Sequence, residues 1–236
     1  MFRYFVRKAR SECRLRRSFP CHLSAIAGLV SALAISPALA QDGAAIAVNG
    51  TGGAPACSSC HGAHGEGQPE NGFPRLAGLD AGYIVRQLES FADGSRKNDT
   101  MPAIAKALTP ADRQAVATFY AGQQAAAPQQ AATPGVKQAA RGAELVVNGD
   151  WAQGVPGCGL CHGPSGQGVG SAFPRLAGQS AIYIENQFAD WKAGKRSNDP
   201  LHLMSGIAKK LSDDDTKAVA TYFASLKVVS KDNAHE

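Results

Sequence analysis

The sequence predicts an all-α protein of two tandem helical domains joined by a linker. Three observations predict it. The chain repeats itself at an almost constant offset, its apolar residues recur at helical spacing, and no alternating strand pattern with hairpin turns interrupts them.

The repeat sets the architecture. Residues 43–50 match residues 142–149. Phe73-Pro74-Arg75-Leu76-Ala77-Gly78 recurs unchanged as Phe173-Pro174-Arg175-Leu176-Ala177-Gly178. Asn98-Asp99 returns as Asn198-Asp199, and Ile104-Ala105-Lys106 as Ile207-Ala208-Lys209, all at offsets of 99 to 103 residues. Two units of that length each bury a core of their own, whereas a solenoid uses shorter and more numerous repeats. Residues 41–122 are read as the first domain and 136–236 as the second. Between them, residues 123–135 are poor in apolar bulk and punctuated by Pro128, Pro134 and Gly135, the composition of an extended linker.

Within each unit Ile84, Leu88 and Phe91 sit at i, i+4 and i+7, matched by Ile184, Phe188 and Trp191. Asp80 and Ser180 are the expected N-caps of these helices, with Gly94 and Gly194 as stops. A last helix is expected to start at Thr109-Pro110 in one unit, a cap followed by proline at the first helical position. In the other it starts at Ser212, followed by Asp213, Asp214 and Asp215 where the helix dipole favours acids. Val116, Phe119 and Tyr120, and Val219, Tyr222 and Phe223, form its apolar face.

The formal charge of +5 is misleading. Residues 1–40 hold seven Lys/Arg against one Asp/Glu, while residues 41–236 hold 17 against 18. The remainder carries no basic footprint for nucleic acid. Residues 1–40 read as an export signal: a basic stretch, an apolar run from Leu23 to Ile35, and Ala38-Leu39-Ala40 as the cleavage site. A retained anchor is the alternative, against which the run is short for a span of about 20 residues. Arg16-Arg17 has a slight twin-arginine look, but attachment to an unfolded chain after export favours the general secretion route. The periplasm is the expected compartment.

Two of the six cysteines, Cys13 and Cys21, leave with that signal. The other four form two Cys-x-x-Cys-His motifs, Cys57-Ser58-Ser59-Cys60-His61 and Cys158-Gly159-Leu160-Cys161-His162. This is the spacing of covalent haem c attachment. Two thiols one helical turn apart reach the two vinyl groups of one porphyrin, and the next residue brings its imidazole over the iron. A zinc site or a redox thiol pair uses Cys-x-x-Cys without needing a histidine directly after it. Neither explains the downstream methionines. Past residue 40 there are two, Met101 and Met204, one per unit, 40 and 42 residues after His61 and His162. Their matched positions mark them as sixth ligands rather than core filler. His202 competes with Met204, because the second unit carries three extra residues there; the first unit has no histidine in the matching loop, which favours Met204. His64, close behind His61, reads as a surface residue, and His235 as part of a loose terminus.

Around these ligands, Pro74 and Pro174 are candidates to accept a hydrogen bond from the second nitrogen of each histidine. Arg75 and Arg175 are candidates to pair with haem propionates. Tyr83 and Tyr183 repeat as well, and either bond a propionate or pack.

Paired Cys-x-x-Cys-His-Gly motifs, Phe-Pro-Arg-Leu-Ala-Gly, a Gly-x-Arg-x-Asn-Asp-like segment and a Met near Ile-Ala resemble cytochrome c4 over nearly all of residues 41–236. The resemblance implies two class I cytochrome c domains about a pseudo-twofold axis, with two covalently bound haem c groups. It implies electron transfer in the bacterial periplasm, with loose association with the inner membrane, between a quinol-oxidising complex and a terminal oxidase. The expected assembly is a monomer. Pro200-Leu201-His202-Leu203 departs from the pattern. With both irons six-coordinate there is no open site for a substrate, so the chain is expected to be a carrier rather than an enzyme. Two other readings are the cytochrome subunit of a flavin-dependent sulfide dehydrogenase and, less favoured, a dihaem peroxidase. Residues 41–127 carry net −2 and 128–236 net +1, from which the two domains are expected to face different partners.

Overall fold

Each half opens with a short helix that must pass close to the last one. In the first half α1 (Gly43–Asn49) crosses α5 (Pro110–Gly122) after α2 (Ser58–His61), α3 (Ala81–Asp93) and α4 (Met101–Ala107) have been laid between them. The second half repeats the plan with α6 (Val136–Val147), α7 (Gly159–His162), α8 (Ala181–Lys192), α9 (Leu203–Ala208) and α10 (Asp213–Ser225). These elements come from a computed structural model, which describes residues 42–124 and 135–227. The expected export signal, nearly all of the expected linker, and His235 lie outside the described residues. Among the described residues the remaining backbone pairing is confined to isolated bridges, with no strand.

The crossing explains the repeated glycine, at the head of α1 and in the middle of α6. A Cβ on Gly43 would stand 2.2 Å from the carbonyl oxygen of Ala115, and one on Gly142 would stand 2.4 Å from that of Ala218. Only a residue with no side chain lets the two backbones meet there.

The caps fall where expected. Asp80 accepts from the Tyr83 amide at 3.1 Å and Ser180 from that of Tyr183 at 3.3 Å. Thr109 and Asp112 form a reciprocal capping box, and Ser212 accepts from the Asp215 amide. Ile84, Leu88 and Phe91 are buried, as are Ile184, Phe188 and Trp191, so α3 and α8 turn their periodic faces inward. Val116, Tyr120, Val219 and Phe223 are buried too, while Phe119 and Tyr222 stay partly exposed. Each half thus has its own core, one around Ile46, Phe91 and Tyr120 and one around Leu145, Trp191 and Phe223.

The halves meet about a pseudo-twofold relation written in matched bonds. The backbones at Arg96 and Arg196 pair antiparallel, with Lys97 donating to Lys195 O and Ser197 to Ser95 O, both at 2.8 Å. Arg96 donates to Gln87 of its own half and to Tyr183 and Gln187 of the other. Arg196 donates to Gln187 of its own half and to Tyr83 and Gln87 of the other. Each guanidinium also lies over an aromatic ring of its own half, Phe91 at 4.5 Å and Trp191 at 4.2 Å. The symmetry is not complete: Asn198 reaches across to Gln87, whereas Asn98 turns back to the Thr100 and Met101 amides.

Candidate haem sites

The two cysteines and the histidine of each motif lie on one short helix, which explains their convergence. In the first half Cys57, Cys60 and His61 face a cavity of about 750 Å³ whose lining also includes Met101. Leu79, Ile84, Leu88, Phe91, Ile104 and Val116 make its walls apolar. The size and character suit a large planar apolar group. Met101 packs against the first core and Met204 against the second, so both methionines sit on the inner side of their segments. His202 is exposed and Met204 only partly so.

The histidines are prepared in the same way. His61 and His162 are buried. His61 Nδ1 lies 2.9 Å from Pro74 O, and His162 Nδ1 lies 2.8 Å from Pro174 O. A carbonyl only accepts, so Nδ1 carries the proton and Nε2 presents a lone pair. His162 Nε2 is buried with no hydrogen-bond partner. Burial pushes both imidazoles below their ordinary pKa, opposed in part by the proline carbonyl. A neutral buried imidazole with an unused lone pair is the state a metal ligand requires.

The thiols match it. Burial raises the Cys57 thiol and pushes the Cys158 thiol up to about 11. Cys57 and Cys158 are therefore poor thiolates, unlike the attacking cysteine of a redox pair. Among the described residues no group of three or more His, Cys, Asp or Glu side chains converges as a zinc site would need.

The arginines divide. Arg75 is buried, and none of its three guanidinium nitrogens has a partner. Burial, with Arg175 adding repulsion, lowers it to about 10. Arg175 is less buried; its guanidinium makes a 3.4 Å contact to Gln167 O and lies near Gly78 of the first half. Tyr83 and Tyr183, left open between packing and hydrogen bonding, accept hydrogen bonds at their hydroxyls from Arg196 and Arg96 across the interface. Although burial raises the Tyr83 phenol, the nearby Arg196, Arg96 and Arg86 bring it below its ordinary value.

Arg96, Arg196, Gln87 and Gln187 were not singled out from the sequence. The available signal was their recurrence at an offset of 100, the glutamines within α3 and α8 and the arginines just past the ends of those helices. Among the described residues none of the salt bridges involves Arg75, Arg96, Arg175 or Arg196. Buried guanidiniums without carboxylates call for an anion from elsewhere, and haem propionates are such anions. His64 is exposed, as a surface residue should be.

Comparison with known proteins agrees with this geometry. The Cytochrome c family model matches residues 40–124 and again 139–227. A protein of Stutzerimonas stutzeri (strain A1501) named thiosulfate dehydrogenase electron acceptor is 45% identical over 205 residues, covering 85% of this chain and 94% of its own. Two solved structures resemble the fold. One is a thiosulfate dehydrogenase (TsdBA) from Marichromatium purpuratum, with a TM-score of 0.74 and 36% identity. It covers 82% of this chain, which spans only 43% of that one. The other is reduced recombinant cytochrome c4 from Pseudomonas stutzeri, with a TM-score of 0.66 and 33% identity, covering 72% of this chain and 93% of its own.

Proposed function

Since the chain belongs to the cytochrome c family, as a cytochrome c4-like protein of two cytochrome c domains carrying two covalently bound haem c groups, we propose that it is an exported electron acceptor for a sulfur-oxidising dehydrogenase. The observation that carries the reading is the likeness, over nearly the full length of both chains, to a relative named for accepting electrons from thiosulfate dehydrogenase. The cytochrome c4 resemblance read from the sequence adds the onward step, delivery to a terminal oxidase, and keeps a quinol-oxidising complex as an alternative donor.

Haem c supplies one reversible electron per iron. The chain's residues do the rest. Cys57 with Cys60, and Cys158 with Cys161, would hold the two groups by thioether bonds. His61 and His162, oriented by Pro74 and Pro174, would each offer an imidazole nitrogen to the iron. Met101 and Met204 would offer their sulfurs, which would favour the reduced state. Arg75 and Arg175 pair with propionates, and Arg96, on the wall of the first cavity, adds a cation between the halves. So held, the irons would pass electrons and leave catalysis to the partner, and the chain would work as a carrier in the periplasm.

The test mixes the oxidised holoprotein with the catalytic protein of a thiosulfate dehydrogenase and thiosulfate and follows the haem spectrum. Reduction of both haems within the dehydrogenase's turnover time is expected. No reduction by it, together with rapid reduction by a quinol-oxidising complex, would move the protein to the alternative donor.

A further inference from the structure

The two halves agree in their cores and differ at the mouths of their haem sites. In the first half the cavity is edged by Ser59, between the two cysteines, and by Thr100, just before Met101. Their counterparts in the second half are Leu160 and Leu203, both exposed. The second half is also longer at this end. It has two extra residues between Gly149 and Cys158, counted against Gly50 and Cys57, and three extra before Met204. The first insertion presents Trp151, 67% exposed, and the second presents Leu201, 97% exposed. Leu201 and His202 stand at φ 58° and 54°, in the left-handed region that side chains disfavour, so the backbone holds the leucine outward at a conformational cost. Lys210 Nζ donates to Gly154 O at 2.9 Å, tying the Trp151 turn to the segment that follows Met204.

Charge follows the same division. Residues 154–174, which carry Cys158, Cys161 and His162, contain no Asp, Glu, Lys or Arg. The matching residues 53–74 contain Glu66 and Glu70. Leu160 thus stands on an uncharged ground, while the one acid beside Trp151, Asp150, is paired with Arg141 and the nearby Lys210 is bonded to Gly154 O; large exposed apolar side chains with no free charge beside them mark an interaction site. Their complement is another uncharged apolar surface, because a charged one would lose its hydration without gaining a partner.

Resting on the reading of the chain as an electron acceptor, we propose that the mouth of the second half, framed by Leu160, Leu201, Leu203 and Trp151, is the docking surface for the electron donor. The donor is a redox protein whose own prosthetic group opens onto an uncharged apolar face. Each passage takes one electron from the donor and adds one to this chain, with no bond made or broken. The acidic first half is left free for the onward partner.

The experiment measures the second-order rate of reduction of the full-length holoprotein by the catalytic protein of a thiosulfate dehydrogenase supplied with thiosulfate. Leu160→Glu, Leu201→Glu and Trp151→Glu are compared with Val48→Glu and Val136→Glu, which place the same charge at exposed valines elsewhere. Haem content and the rate of reduction by dithionite report that each variant is intact. The three mouth variants are expected to lose about tenfold or more in rate, the two valine variants less than about twofold. The wild-type rate is expected to stay flat between about 0.02 and 0.5 M salt. Reduction of the wild type with no loss in the mouth variants, or with a steep salt dependence, overturns the docking surface and leaves the function standing. A wild type that this donor does not reduce overturns both.

Discussion

His162 has one ring nitrogen committed to Pro174 O and the other buried without a partner. A protein leaves an imidazole nitrogen in that condition only where something else binds it. The same logic separates Met204 from His202. The methionine packs toward the second core and the histidine is exposed. Met204→Leu should therefore abolish one of two near-infrared methionine-to-ferric-iron bands and lower that haem's potential, while His202→Ala should leave both bands in place. Loss of a band in the His202 variant would reverse the assignment. Burial also makes pH dependence predictable. The folded state holds both motif histidines below their ordinary pKa, while the unfolded chain takes up protons near pH 6.5. Their contribution to stability is intact above that pH and falls as the pH drops below it. The denaturant midpoint should be lower at pH 5 than at pH 7, and a midpoint unchanged across that interval would show that the histidines are not held neutral. The paired Cys-x-x-Cys-His motifs were legible in the sequence because covalent attachment demands fixed spacing. The burial of their histidines was not, since burial depends on the whole fold.

At the scale of the helix, the last element of each half announced itself through its cap and the α3/α8 pair through its period. α1 and α6 did not. Residues 43–50 and 142–149 were recognised as matched, yet α1 is only seven residues long, too few turns for periodicity to declare a helix. What the match preserved was the glycine at each crossing. Gly43→Ala would drive a methyl group into the Ala115 carbonyl, and thermal or denaturant unfolding should show a loss of about 1–3 kcal/mol. Thr109→Ala removes one side of a capping box and should cost about 1 kcal/mol. Equal stability of Gly43→Ala and wild type would mean that the helices do not cross as closely as described. In Pro200 to Leu203, the departure noted in the sequence, Pro200–His202 form a short 3₁₀ turn with Leu201 and His202 left-handed, and Leu203 begins α9. An insertion of three residues can be counted from sequence, but its backbone cannot be read from it.

The whole molecule is two similar halves made one by polar groups that a core-seeking reading passes over. Repetition showed that Arg96 and Arg196, or Gln87 and Gln187, are counterparts. It did not show that each would bond the other's half, because a repeat tells what is alike and not what touches. Tyr83 and Tyr183 were suspended between packing and bonding for the same reason. Arg196 donates to three side-chain oxygens of the interface, Gln187 Oε1, Tyr83 Oη and Gln87 Oε1. Arg196→Met should lose about 3 kcal/mol or more of unfolding free energy, taking about 1.5–3 kcal/mol for a buried charged hydrogen bond. Its unfolding should also divide into two transitions, one per half, where the wild type shows one. Arg96 and Arg196 are satisfied by the opposite half, whereas Arg75, buried with no partner on its guanidinium, is the one left for a haem propionate.

A carrier of this kind holds one haem c in each half between a histidine and a methionine. A pyridine haemochrome count on the purified holoprotein, taken with the near-infrared spectrum of the oxidised state, decides it. Two c-type haems per chain and a methionine-to-ferric-iron band with the intensity of two sites are expected. One haem per chain, or a band of one site beside a high-spin signal, would overturn the carrier reading, because an iron with an open position can bind a substrate.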